Sequence, residues 1–169
     1  MTRTQMLAML RKVINDEQAT GFTEGGNLEQ PEGTQELIHY LDRAVDEYSK
    51  RQAVSKDIRL MKTMNVTTGS RVPNDFLALC GAVPVTIDSN IINYYGEGSP
   101  MTVRYFARLP YVSSYSDTAT LPYEHDQYMN VISLAAAYAL NKHEFNVSQD
   151  LALLGLGALP NADTQQQTR

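Results

Sequence analysis

The 169-residue sequence has no tryptophan and one cysteine, Cys80. A single thiol excludes a disulfide framework and any zinc site built from cysteine alone. No stretch approaches the ~18 apolar residues of a membrane helix, and Met1-Thr2-Arg3-Thr4-Gln5 leads into an amphipathic segment, not an apolar signal core. The expectation is a soluble protein, intracellular where it is made, with no membrane partner. Histidine is scarce: His39, His125 and His143 stand on separate segments without i, i+4 pairing, so no metal motif arises. Gly21 to Gly26 is glycine-rich but follows no strand and lacks the lysine of a phosphate loop. No cofactor is expected.

At 43% hydrophobic and 20% charged, the chain has an ordinary soluble composition and can fold without a covalent or metal staple. Charge is unevenly spread. Residues 1–49 and 72–169 each carry four bases and nine acids, whereas residues 50–71 carry Lys50, Arg51, Lys56, Arg59, Lys62 and Arg71 against Asp57 alone. Such a segment is a candidate nucleic-acid patch. Its loose spacing and lack of interleaved aromatics favour a solvated helix end running into an edge strand.

Apolar residues recur at helical spacing in three places. Met6, Leu10, Val13 and Ile14, with Leu7 beside them, predict a helix over about 3–15, opened by a Thr2/Gln5 capping box. Residues 15–30 read as a polar loop in which Phe22 is the one docking residue. Leu37, Ile38, Leu41, Ala44, Val45 and Tyr48 predict a helix over 31–53 that starts at Pro31. Tyr128, Val131, Ile132, Ala135, Tyr138 and Ala139 predict a third over 123–143, where Ala135-Ala136-Ala137 admits a close neighbour. Leu37 to Tyr48 and Val131 to Tyr138 should form one helix–helix interface. A short helix follows over 148–156.

Between the second and third helices the period becomes two. Ile58, Leu60, Met64 and Val66 alternate in one segment, Val83, Val85 and Ile87 in a second, and Met101, Val103, Tyr105, Ala107 and Leu109 in another, with Ile91 to Tyr95 between the last two, for three or four short strands. Gly69-Ser70, Asp88-Ser89-Asn90 and Gly96 to Pro100 punctuate them as turns. The fold class is α+β: a bundle of three long-to-medium helices with a small antiparallel β-sheet inserted at about 57–110. One domain spans 1–159 and an extended tail spans 160–169.

Local chemistry names no reaction. Cys80, His125 and Asp126 are the residue types of a cysteine hydrolase, but Cys80 sits in the apolar run 76–80 as a small core hydrophobe would. His125 and Asp126 are helix neighbours that point about 100° apart and cannot orient each other. Tyrosine is abundant instead, with six of the ten between Tyr94 and Tyr123. A ring with a wet hydroxyl suits a protein interface, and β-propensity is the competing cause.

Four segments in order carry a resemblance. Leu41-Asp42-Arg43-Ala44 lies in the second helix. Val72-Pro73-Asn74-Asp75-Phe76 is a proline-x-acid-phenylalanine signature. Residues 101–110, Met-Thr-Val-Arg-Tyr-Phe-Ala-Arg-Leu-Pro, form the last strand, and 116–126 form a polar loop with Leu121-Pro122 and acids before the final helix. Together they resemble the head–tail adaptor (connector) proteins of tailed bacteriophages over about residues 3–145. One departure is Phe106, where that family's strand carries a second tyrosine.

The resemblance implies a structural virion protein without enzymatic activity or cofactor. It implies a homo-oligomeric ring, usually of twelve copies, at the head–tail junction, assembled in the host cytoplasm. Its partners would be the portal protein and a tail or nozzle protein, with packaged DNA as non-specific channel contents. A tail-tube, nozzle or tail-completion protein is the neighbouring alternative. The tail has too few apolar residues to fold alone, so a neighbouring subunit or the portal is expected to hold it. The expected partner-binding residues are Leu151, Leu154, Leu156, Leu159, Pro160, Gln165, Gln166 and Arg169, together with Tyr111 and Tyr115.

Overall fold

The computed structural model describes residues 1–14, 31–96 and 100–142. These form three α-helices and five short strands in two antiparallel sheets, an α+β fold. Among the described residues the chain divides into two compact units: Val45–Ser114, and the residues that flank it, up to Ala44 and from Tyr115 on.

In the flanking unit, helix α1 spans Arg3–Val13 and opens on the capping box that the sequence predicts. Thr2 Oγ1 accepts from the Gln5 N–H at 3.2 Å while Gln5 Oε1 accepts from the Thr2 N–H at 2.9 Å, so two otherwise orphaned donors are satisfied. Met6, Leu7, Leu10 and Ile14 are buried. Val13, placed on the same stripe by spacing, is instead half exposed, because Leu7 and Ile14 define the buried face.

Helix α3 spans His125–Lys142 and packs closely on α1. Ala135, Ala136, Ala137 and Ala139 are all buried, as close helix packing requires. The segment before α3 is stitched to the start of α1. The Leu121 N–H donates to Met1 O at 3.0 Å, Thr2 and Thr120 form a β-bridge, and Arg3 pairs with Asp117 at 2.7 Å.

Helix α2 spans Pro31–Val54 and runs from one unit into the other, about 36 Å at ~1.5 Å per residue. Its stripe of Leu37, Ile38, Leu41, Ala44, Val45 and Tyr48 is buried, with Tyr40 and Ser49 added. Tyr138 of α3 is only half-buried and lies under Arg43, whose guanidinium carbon is 4.2 Å from the ring centroid. The helix ends in a Schellman motif: Asp57 N–H donates to Gln52 O and Lys56 N–H to Ala53 O. Lys56 occupies the left-handed position at φ 59°, where glycine is the usual residue.

A 3₁₀ turn at Ile58–Leu60 leads into β1, Met61–Val66. Ile58, read as the start of a strand, lies in this turn and is 77% exposed. Strands β2 (Phe76–Leu79), β3 (Val85–Asp88), β4 (Ile91–Tyr94) and β5 (Met101–Ala107) follow. They make two sheets where the sequence reading expected one: β1-β5-β2, and the hairpin β3-β4. The extra strand is β2, which starts just after the prolyl segment and pairs with β5. Ser89 and Asn90, at φ 49° and 65°, give the hairpin its tight two-residue turn. Met64, Val66, Val85, Ile92, Val103, Tyr105 and Ala107 form one core that joins the two sheets.

The short helix expected over 148–156, the tail 160–169, the loop with Phe22 and most of the Gly96–Pro100 turn lie outside the described residues.

Candidate functional site

Two of the segments that carry the sequence resemblance meet at Asp75. The turn before β2 brings its carboxylate beside β5, where Oδ1 accepts from the Tyr105 hydroxyl at 3.0 Å and Oδ2 from Lys62 Nζ of β1 at 2.6 Å. The Asp75 carbonyl accepts from the Arg108 N–H at 2.6 Å, and Phe76 stacks on Tyr105 with centroids 5.7 Å apart. Burial alone would raise the carboxyl pKa, but the Lys62 ammonium and the Tyr105 hydroxyl outweigh it and hold the group below the usual carboxylate range. Burial and the facing carboxylate push the Tyr105 phenol up to about 12. One acid therefore fastens the β2 turn to both β1 and β5.

The polypeptide beyond β5 is fastened in the same manner. Tyr111 is half-buried, donates its hydroxyl to Asp46 Oδ1 at 3.0 Å, and lies under the Arg108 guanidinium at 4.0 Å. Arg108 reaches the same carboxylate at 3.4 Å. Buried Ser49 accepts from the Leu109 N–H at 3.1 Å. In the other unit Tyr115 is half-buried and Tyr123 is buried against Tyr128, with ring centroids 5.2 Å apart. Burial, and the charge of Asp42, raise the Tyr123 pKa. Of the six clustered tyrosines only Tyr95 is exposed, at 68%. Strand alternation accounts for Tyr94, and carboxylate partners for Tyr105 and Tyr111.

The β-rich unit carries an apolar groove of about 590 Å³ between the end of α2 and edge strand β2. Lys50, Ala53, Val54 and Lys56 line it from the end of α2 and residues 77–81 from β2, with Met61 of β1 and Phe106 of β5 between. Val54 is 83% exposed although it lines apolar space. Among the described residues strand β2 has a sheet partner on one side only, namely β5. No sequence pattern marks this groove. Residues 76–80 read as core because nothing in their pattern tells an edge strand beside a helix end from an interior run.

Cys80 is half-buried in the groove wall, and burial pushes its thiol pKa up, opposed by Arg104. A nucleophile needs the opposite shift. Cys80 belongs to the β-rich unit, while His125 and Asp126 are exposed at the start of α3 in the other. Among the described residues no group of three or more His, Cys, Asp and Glu could hold a metal ion, and no helix is long and apolar enough to cross a membrane.

The basic run is the end of α2, the 3₁₀ turn, strand β1 and the turn that follows it to Arg71. Three of its cations are paired within the protein: Arg51 with Glu47, Arg59 with Asp57 and Lys62 with Asp75. Leu151, Leu154, Leu156, Leu159, Pro160, Gln165, Gln166, Arg169 and His143 lie outside the described residues. No family model matches the chain, and no match was found among curated proteins or solved structures.

Proposed function

We propose that this chain is a head–tail adaptor of a tailed bacteriophage. In this reading α1, α2 and α3 form a bundle, the β-rich segment is its insertion, and copies form a ring that joins the portal to the tail and helps retain packaged DNA. The observation that carries the reading is the meeting at Asp75. The proline-x-acid-phenylalanine segment and the last-strand segment are 25 residues apart in sequence, counted from Phe76 to Met101, yet share one polar cluster and a strand pairing of Phe76 with Ala107. Segments that resemble one family and also cooperate physically support a single structural unit over separate chance likenesses. The stitching of Asp117 and Leu121 to the start of α1 gives the third segment a comparable role.

Imaging of the particle neck tests this directly. The chain should appear as a ring against the portal, and heads assembled without it should lose DNA. Filled, infectious particles lacking the protein would overturn the proposal. Density confined to the tail tube or tip would assign the chain to another tail component.

A further inference from the structure

We infer that the groove between α2 and β2 seats the leucine-rich segment 151–159 of a second copy of this chain, a proposal that rests on the ring reading above. The groove offers apolar walls of Val54, Leu77 and Leu79 and an edge strand with one side unpaired among the described residues. An apolar segment laid along β2 covers those walls and takes up the free backbone groups of the edge, which otherwise invite uncontrolled pairing. A groove of about 590 Å³ lies within the range of built binding sites and has room for several aliphatic side chains.

Charge selects the occupant. Lys50 and Lys56 line the groove from the end of α2 and make no ion pair among the described residues, unlike their neighbours Arg51, Arg59 and Lys62. The segment matches on both counts. Leu151, Leu153, Leu154, Leu156 and Leu159 supply five leucines in nine residues with no charge among them, and Asp150 and Asp163 lie on either side. An apolar stretch opened by Asp150 complements an apolar groove with two lysines on its α2 side. The contact is one-way, segment of one copy to groove of the next. Contacts of that type generate closed rings when the rotation between copies closes.

Cys80 lines the groove and is the chain's only thiol, so it reports occupancy in the full-length protein without added probes. Maleimide labelling of Cys80 should slow at least tenfold as protein concentration rises, in step with the mass from light scattering. The L151S/L154S/L156S variant should stay fast-labelling and monomeric. Lys50→Glu, an exposed position whose change leaves the fold intact, should weaken self-association, and mixing it with an Asp150→Lys copy should restore part of it. An equal mixture of Ala78→Glu, which blocks the groove, and the triple serine variant should give dimers, since one intact segment then meets one intact groove.

Slow labelling of a native chain whose mass is that of a monomer, with fast labelling of the serine variant, would mean that a chain's own segment fills its groove, which overturns the inference. Equal labelling of native and serine variants overturns it as well. The adaptor reading fails separately. Concentration-dependent protection of Cys80 with no protein at the particle neck would sink the adaptor reading and leave the groove assignment standing.

Discussion

Replacing Asp75 by alanine removes the side chain that joins the β2 turn to the sheet and leaves its backbone bond to the Arg108 N–H intact. Tyr105 is 4% exposed, so its hydroxyl loses its acceptor where water has restricted access, a cost of about 1–2 kcal/mol. The Lys62 side chain is 57% exposed, and losing its ion pair adds at most about 0.5 kcal/mol. Asp75→Ala should therefore cost about 2 kcal/mol, or roughly 4–8 °C in Tm for a chain of this size. Tyr105→Phe should cost about 1 kcal/mol, because it deletes the donor and leaves Asp75 with Lys62. The double variant should cost about 2 kcal/mol and not the sum, since phenylalanine has no hydroxyl to strand. Urea unfolding followed by far-ultraviolet circular dichroism suits a chain without tryptophan. Single-variant costs that add to within about 0.3 kcal/mol would refute the idea that Asp75 and Tyr105 act as one unit.

Leu41→Ala, at a fully buried position of α2, should destabilise by about 2–5 kcal/mol, and an unchanged denaturation midpoint would show that the stripe does not face a core. Thr2→Ala breaks the capping box of α1 and should cost about 1 kcal/mol, with a matching loss of amide protection at Gln5 in hydrogen exchange. Asp75 and Asp57 both titrate below the ordinary value of 3.8 in the folded state, Asp57 chiefly through its hydrogen bond from Arg59. Their contribution is complete above the unfolded-state pKa and is lost as pH falls through the lower folded values, so stability should drop below about pH 4 and drop less steeply in Asp75→Asn. Tyr105 has the opposite sign. Its folded pKa is raised from 10.0 to about 12, so its contribution is full below pH 10 and disappears as pH rises to 12, a loss that Tyr105→Phe should abolish.

Periodicity settled what depends on neighbours in sequence. The three helices lie within two residues of their expected limits where the structure describes them, because an apolar stripe and a cap are local facts. The Thr2/Gln5 box and the Ser89-Asn90 turn were legible for the same reason: each is set by side chains and backbone angles within four residues. The alternation of Val103, Tyr105 and Ala107 likewise named the inner face of β5.

Tertiary structure decided what depends on pairing across distance. That 76–79 is a strand, and an edge one, follows from β5 offering it a ladder, not from its own apolar run. Two sheets formed in place of one because β3 and β4 pair with each other while β5 takes β1 and β2. Asp75 reads in sequence as a loop acid; only the approach of Lys62, Tyr105 and Arg108, 13, 30 and 33 residues away, makes it a fastening point. The groove belongs to this second class. Its walls come from a helix end and a strand more than twenty residues apart, and no pattern within either wall records the space between them.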